Sequence, residues 1–501
     1  MALKSMTVKP FSAQRRTSIL DESQKKPLDM IIVGGGITGA GAFLEASRRG
    51  LNVLLLEKND FASGTSSISS KLIHGGLRYL ETFDWKLIFE SSRERKRLLT
   101  LCPSLVHPIE FLIPVYKNQR RGLLTMYIGT WLYYLLSFFR NIGRPRIFNH
   151  KTSLQLESKL GGKNLTGSVT YFDASTIDSK LTLSTIKTGN HLGGQACNHA
   201  NVIEYVMENG KVSGVVVRDE LTQKTYTLKS KWVVNTLGPW TDPVRSTLLG
   251  KNNRTIRMTK GVHILLSGNP FSLAHAILMI SPVDGRVVFL IPWCGNTLVG
   301  TTDTDYEGHP DDVRIEKKDL TYLLHTVRHF FPDIQISNDQ ILSSMAGLRC
   351  LKQENKSHPS DVSREHILYS EQPGLLTIAG GKLTTFLSMG EEIVDWIFER
   401  DSTLSDRSSG PLPIFEKTSD VPSQSIDQTY FEHLIEHEMA CTIEDLLRYR
   451  TLSFYLSKDR GISLIELASR AISNKLGTSD ELLQKQIEVY KSEITKTHVQ
   501  L

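Results

Sequence analysis

The sequence predicts an α/β protein with a parallel sheet near its N-terminal end, a second, antiparallel sheet, and a small helical domain at its C-terminal end. Three features point to it. A strand–helix–strand pattern fills residues 29–57: an apolar run from Asp29 to Gly34, a helical stretch over 37–49, and LNVLLLE from Leu51 to Glu57. Short alternating strands with turns between them, HILL, RVVFLIPW and NTLVGTT, recur over about 254–350. Beyond a Ser-, Asp-, Gly- and Pro-rich linker at 401–424, residues 425–501 are helical and polar-amphipathic.

Taken in order, residues 1–28 read as a disordered basic arm. Lys4, Lys9, Arg15 and Arg16 precede the first acid, with no signal peptide and no clear amphipathic stripe. The first strand then runs into GGGITG, where Gly34, Gly36 and Gly39 match G-x-G-x-x-G. Gly34 allows the tight turn, Gly36 lets backbone approach a pyrophosphate, and Gly39 lets helix and strand pack closely. The helix start offers unpaired N–H groups to phosphate oxygens. Glu57 ends the next strand about 20 residues on, where an acid binds ribose hydroxyls. The first unit is therefore a Rossmann-type dinucleotide-binding domain. The loop that follows, FASGTSSISSKLIHGGLRYLE, decides between nicotinamide and flavin. Its hydroxyls and Gly64 suit an extended segment along the pyrophosphate and ribityl chain of FAD.

Residues 103–166 are irregular and apolar. Within them Gly122–Phe139, flanked by Arg120, Arg121, Arg140, Arg144 and Arg146, reads as a half-buried helix or an interfacial one. It is slightly short for a span of about 20 residues. Residues 193–238 form a meander back to the first sheet, with Glu208-Asn209-Gly210 as a hairpin turn. Leu375–Ala379 is a buried strand closed by Gly380-Gly381, and a helix follows from Ser388 to Arg400. This divides residues 29–400 into FAD-binding parts (about 29–100, 165–245 and 345–400) and substrate-side parts (about 101–164 and 246–344).

The net charge of +6 over 501 residues, with no dense Lys/Arg stripe, excludes a nucleic-acid footprint and suits anionic substrates or lipid. The cysteines, Cys102, Cys197, Cys294, Cys350 and Cys441, are scattered without a C-x-x-C pair. Neither a disulfide framework nor a metal site is expected, and a reducing compartment is.

GTSSISSKLIHGGLRYLE resembles the signature of the FAD-dependent, quinone-linked glycerol-3-phosphate dehydrogenases. So do LGPW (237–240), TKGVHI (259–264), IPW (291–293), VGTTDTDY (299–306), AGLR (346–349), SREH (363–366) and AGGKLTT (379–385), in the same order. TIEDLLRYRT (442–451) resembles the family's C-terminal domain more loosely. The resemblance implies a substrate domain like that of glycine oxidase and D-amino-acid oxidase. It implies oxidation of sn-glycerol 3-phosphate to dihydroxyacetone phosphate, hydride passing to FAD and electrons to a quinone. It implies flavin contacts at Gly34, Gly36, Gly39, Glu57, Thr65, Ser66, Ser67, Ser70, Lys71, Leu72, His74, Gly238, Gly381, Lys382, Leu383 and Thr384.

The substrate phosphate needs cations, preferably bidentate ones, and the matching motifs offer Arg78, Arg349, Arg364 and Lys382, with Tyr79 beside them. His74 is the candidate base or positioning group, Arg349 can acidify the substrate hydroxyl, and His263 is a weaker candidate. The chain departs from the family at Glu45, Lys180 and Cys350, where Asp, Arg and Pro are usual. An oxygen-using oxidase, an amine or amino-acid oxidase and a non-catalytic flavin-binding protein are the alternatives. The apolar, arginine-flanked segment suits peripheral membrane contact through 120–146, and the expected location is the cytoplasmic face of a bacterial inner membrane or the cytoplasm rather than a mitochondrion. A homodimer is compatible with the resemblance.

Overall fold

Leu28–Val33 and Val53–Leu56 are apolar without alternation, which suits strands covered on both faces. In the computed structural model they pair in parallel, Met30 opposite Val53. Residues 9–80, 84–117, 119–137, 142–353, 366–408, 410–422 and 425–497 are described, Arg78 and Tyr79 by backbone alone.

Among the described residues the strands form two sheets, of eight and ten strands. In the first, Leu28–Val33 sits between Val53–Leu56 and Thr225–Asn235, and all its pairings there are parallel. Leu375–Ala379 extends it in parallel beyond Thr225–Asn235. The meander is the hairpin of Ala200–Glu208 and Lys211–Asp219 running into Thr225–Asn235. Its turn holds Asn209 and Gly210 at φ +52° and +76°, the left-handed pair a two-residue hairpin loop requires.

The second sheet joins His107–Tyr116 and Leu165–Ser175 to the strands of 256–352. It is antiparallel except where Ala276–Ile280 runs parallel to His107–Tyr116. Three strands within or reaching into the FAD-binding parts belong to the second sheet: Leu72–Ile73, Leu165–Ser175 and Ile341–Lys352, the last running across the division at 345. The two long ones pair over ten or more residues there, so strand pairing overrides sequence proximity to the flavin-side segments.

The N-terminal residues need correction. Ala13–Arg15 and Arg16–Lys25 are helical, and β structure starts directly after them. Arg16 is buried, donates to the carbonyl of Asn198 at 2.9 and 2.7 Å, and pairs with Asp219 at 2.9 Å. A cation with buried partners anchors the segment, which composition alone could not reveal. Residues 1–8 lie outside the described set.

Leu123–Leu136 is a helix with Thr130 and Tyr133 buried and Leu124, Ile128, Leu132 and Leu135 exposed. Among the described residues no helix is long and apolar enough to cross a membrane. The linker lies along the first domain, where Lys180, Ser184 and Lys187 donate to the carbonyls of Ser419, Glu416 and Lys417. Helices from Gln428 to Lys496 close the chain. Their apolar faces share one core with the second sheet.

Candidate active site

Between the two sheets lies a cavity of about 920 Å³, at the upper end of the usual range of ~300–1,000 Å³ for ligand sites. Its first wall is the glycine turn. Gly34 has φ +110°, and a Cβ on Gly39 would stand 1.9 Å from the Gly34 carbonyl oxygen. Gly36 opens the Ile37–Arg48 helix with no side-chain cap, and the Ile37 N–H donates to Ser66 Oγ at 2.8 Å. The turn is thus held against the serine-rich loop while the helix start faces the cavity. Glu57 accepts from the N–H groups of Gly35 and Asn59 at 2.7 and 2.9 Å. Burial nonetheless raises its carboxyl above the ordinary range.

The serine-rich loop forms the next stretch of wall. Thr65, Ser66, Ser70, Leu72 and His74 line the cavity with Gly34, Gly36 and Glu57, and so do Gly238, Gly381, Leu383 and Thr384. The His74 N–H donates to Thr384 Oγ1 at 3.2 Å, and that hydroxyl donates to the His74 carbonyl at 3.3 Å. Two distant motifs are joined by this exchange. Three predicted flavin contacts stand off the cavity wall. Gly39 serves the helix–strand contact, and Ser67 is buried behind the loop. Lys71 is buried against Asp178 at 2.7 Å and over the Trp293 ring at 5.3 Å. A buried ammonium needs an anion and hydrogen bonds, and Lys71 finds them within the protein, bracing the loop.

The opposite wall comes from paired strands. In the antiparallel register Thr259 faces Arg349 and Gly261 faces Gly347. A Cβ on Gly261 would lie 2.5 Å from the Arg349 guanidinium, and one on Gly300 would lie 2.0 Å from the His263 ring. The glycines of TKGVHI and VGTTDTDY therefore make room for the side chains that count. Arg349 donates to Thr301 Oγ1 at 2.8 Å, to the Thr302 carbonyl and to Asp303 at 3.1 Å. It enters the cavity already oriented. Lys382 lines the same cavity. His263 Nε2 lies 2.9 Å from Ser70 Oγ. Burial, with Arg349 and Lys71 near, pushes its pKa down to about 3, so the imidazole is neutral at neutral pH.

Sequence reasoning missed several residues. Trp240 lies over Gly64, where a Cβ would be 2.9 Å from its ring, and Lys58 stacks on it at 4.4 Å. Arg286 lines the cavity and pairs with Asp284 at 2.6 Å. Beneath Gly75, Asp173 accepts from its N–H at 3.0 Å and from the Tyr133 hydroxyl at 3.1 Å, beside buried Arg95. The available signal was glycine inside a strand or loop, which marks a close neighbour. Lys180 is buried and donates to the linker, away from the cavity. Glu45 holds Arg48 and Arg49 at 2.7 and 2.6 Å. Of the departures only Cys350 reaches the cavity wall. The side chains of Arg78 and Tyr79, and all of Arg364, lie outside the described residues.

A family model described as FAD dependent oxidoreductase matches residues 29–396. The chain belongs to that family. Aerobic glycerol-3-phosphate dehydrogenases are among its relatives: 38% identity to that of Staphylococcus saprophyticus over 78% of this chain and 70% of the other. That of Bacillus subtilis is 34% identical over 98% and 85%. The solved glycerol-3-phosphate dehydrogenase of Bacillus halodurans, complexed with FAD, superposes with TM-score 0.78 at 26% identity, covering 97% and 98% of the two chains. Glycine oxidase of Geobacillus kaustophilus shares the fold at TM-score 0.57 and 18% identity, over 77% and 98%.

The cofactor of this oxidoreductase is FAD, and its residues fit it. The uncapped helix start, Glu57, the Ser/Thr loop and the Gly380–Lys382 turn all line the one cavity. Gly380 and Gly381 at φ +84° and +101° keep that turn free of side chains.

Proposed function

We propose that this oxidoreductase converts sn-glycerol 3-phosphate to dihydroxyacetone phosphate and hands the electrons to a quinone. The observation that carries the reading is that Arg349, Lys382 and Arg286 all line one cavity, with Arg349 pre-oriented by residues 301–303 and Arg286 beside it on Asp303. Cations so placed suit a phosphate dianion better than the single Arg a carboxylate needs. FAD, when bound, supplies hydride acceptance. Arg349 and Lys382 hold the phosphate and present the alcohol carbon, and His74 takes the hydroxyl proton. His263 is the poorer proton acceptor at neutral pH because its pKa is so low; it orients Ser70 and the substrate as a neutral group.

An apolar arm of the cavity, walled by Met126, Gly129, Leu278, Val287 and Phe289, leads toward Leu123–Leu136. It supports a lipophilic acceptor. The exposed stripe Leu124, Ile128, Leu132 and Leu135, with Arg120, Arg121 and Arg146 at its ends, supports peripheral contact with an anionic membrane. We place the protein on the cytoplasmic face of that membrane.

Glycerol 3-phosphate should bleach the yellow protein anaerobically, while glycerol and amino acids leave it yellow. Absence of bleaching sinks the substrate assignment. Reoxidation by a quinone analogue faster than by oxygen supports the dehydrogenase, and the reverse identifies an oxidase. His74→Gln should slow bleaching about 10²–10⁴-fold with FAD retained; an unchanged rate removes His74 as the base. Liposomes of anionic lipid should carry the wild type in flotation and leave a variant with the four exposed residues changed to Ser behind. Equal flotation removes this helix as the contact.

A further inference from the structure

The loop that carries the flavin contacts is also gripped from outside the family-matched region. Asp60 lies between Glu57 and Ser66, and it is buried. Arg450 of the C-terminal helices donates to both its oxygens, at 2.5 and 3.0 Å. Arg450 is itself buried and anchored on the Glu438 carbonyl at 3.1 and 2.8 Å. The same carboxylate accepts from Asn198 at 2.9 Å, and Asn198 also donates to the Met439 carbonyl at 2.9 Å. One residue on, His199 meets Asp445 at 2.9 Å, while its own N–H donates to the Asn59 carbonyl at 2.8 Å. Asp445–Arg450 is π-helical, a wide turn that often marks functional positions.

These contacts converge on residues 57–62. Glu57 receives the Gly35 N–H, the Ala62 N–H returns to the Gly35 carbonyl at 3.0 Å, and Phe61 packs against Gly35. A shift of Asp60 would therefore move both Glu57 and the glycine turn. We propose that the C-terminal domain is part of the FAD-binding apparatus: Arg450, clamping Asp60, is a positioning residue for the 57–66 loop. Bound FAD and the docked C-terminal helices then stabilise each other, because coupling between two equilibria is reciprocal. A bidentate pair fixes orientation as well as distance, and its burial makes a single-partner loss costly. The proposal concerns the cofactor and holds whatever the substrate proves to be.

Two measurements test it. In the wild type, removing FAD should speed amide exchange across residues 438–450, none of which lines the cavity, and restoring FAD should slow it again. Equal exchange with and without FAD overturns the proposal. In Arg450→Met the FAD dissociation constant should rise at least tenfold, with Arg450→Lys intermediate. The rise in melting temperature that FAD gives the wild type should shrink in the same order. A variant whose apo and FAD-loaded forms lose the same melting temperature, with FAD affinity unchanged, shows a purely structural pair and overturns it as well. Should Arg450→Met not fold, the wild-type exchange experiment decides alone.

Discussion

Arg349 reaches the cavity through three hydrogen bonds to the Thr301–Asp303 segment and the space left by Gly261. Arg349→Ala removes the oriented cation without touching the glycine turn. The expected loss is about 2–5 kcal/mol of phosphate binding, roughly 30- to several-thousand-fold in kcat/KM. The visible flavin spectrum should be kept, and stopped-flow bleaching measures both. His263 yields a pH prediction. Its folded pKa of about 3 lies below the ordinary 6.5, so between those values the unfolded chain binds the extra proton. Its contribution to stability is whole above about pH 6.5 and fades as pH falls toward 3. Urea unfolding at several pH values should show that slope in the wild type, and His263→Gln should flatten it. An identical slope in both would place the titration elsewhere.

At the level of elements, the Leu28–Val33 strand and the Ile37–Arg48 helix meet through a glycine contact that tolerates nothing larger. Gly39→Ala would place Cβ 1.9 Å from the Gly34 carbonyl oxygen, and both atoms belong to backbone or its first substituent, so neither can swing away. The helix must move off the strand, and with it the N–H groups that face the cavity. We expect colourless protein, with FAD content reduced at least tenfold by absorbance. A yellow, fully loaded variant would contradict the packing. This contact was readable from the chain because glycine spacing and strand–helix order are local. Which sheet took Leu165–Ser175 was not readable, since its partners His107–Tyr116 and Arg146–Asn149 are chosen by pairing length and burial.

Across the whole molecule, charges buried between segments hold the parts together. Arg16 joins the N-terminal helix to Asp219 and to the Asn198 carbonyl, beside the Asp445–His199 and Arg450–Asp60 pairs. Arg16→Ala would leave Asp219 buried without its cation, at a cost of about 3–5 kcal/mol. The urea midpoint should fall, and the double variant with Asp219→Leu should recover part of the loss. A midpoint unchanged by Arg16→Ala would mean that the N-terminal helix is not anchored through this pair.

The glycine turn, Glu57 and the serine-rich loop could be read from the chain, because each depends on residue type and short spacing; Arg349 and Lys382 were named through the motifs that resemble the family's. Their chemistry is set by groups that the fold alone brings near. Asp303 lies 46 residues from Arg349, Ser70 lies 193 from His263, and Arg450 lies 390 from Asp60. The order of residues was enough to name the flavin turn, and the resemblance to the family named the cations. Where Arg349 points, why His263 is neutral, that Lys71 is a brace, and what holds the flavin loop from behind were settled by folding. Orientation and burial arise from long-range strand register and desolvation, and neither has a local signature in the chain.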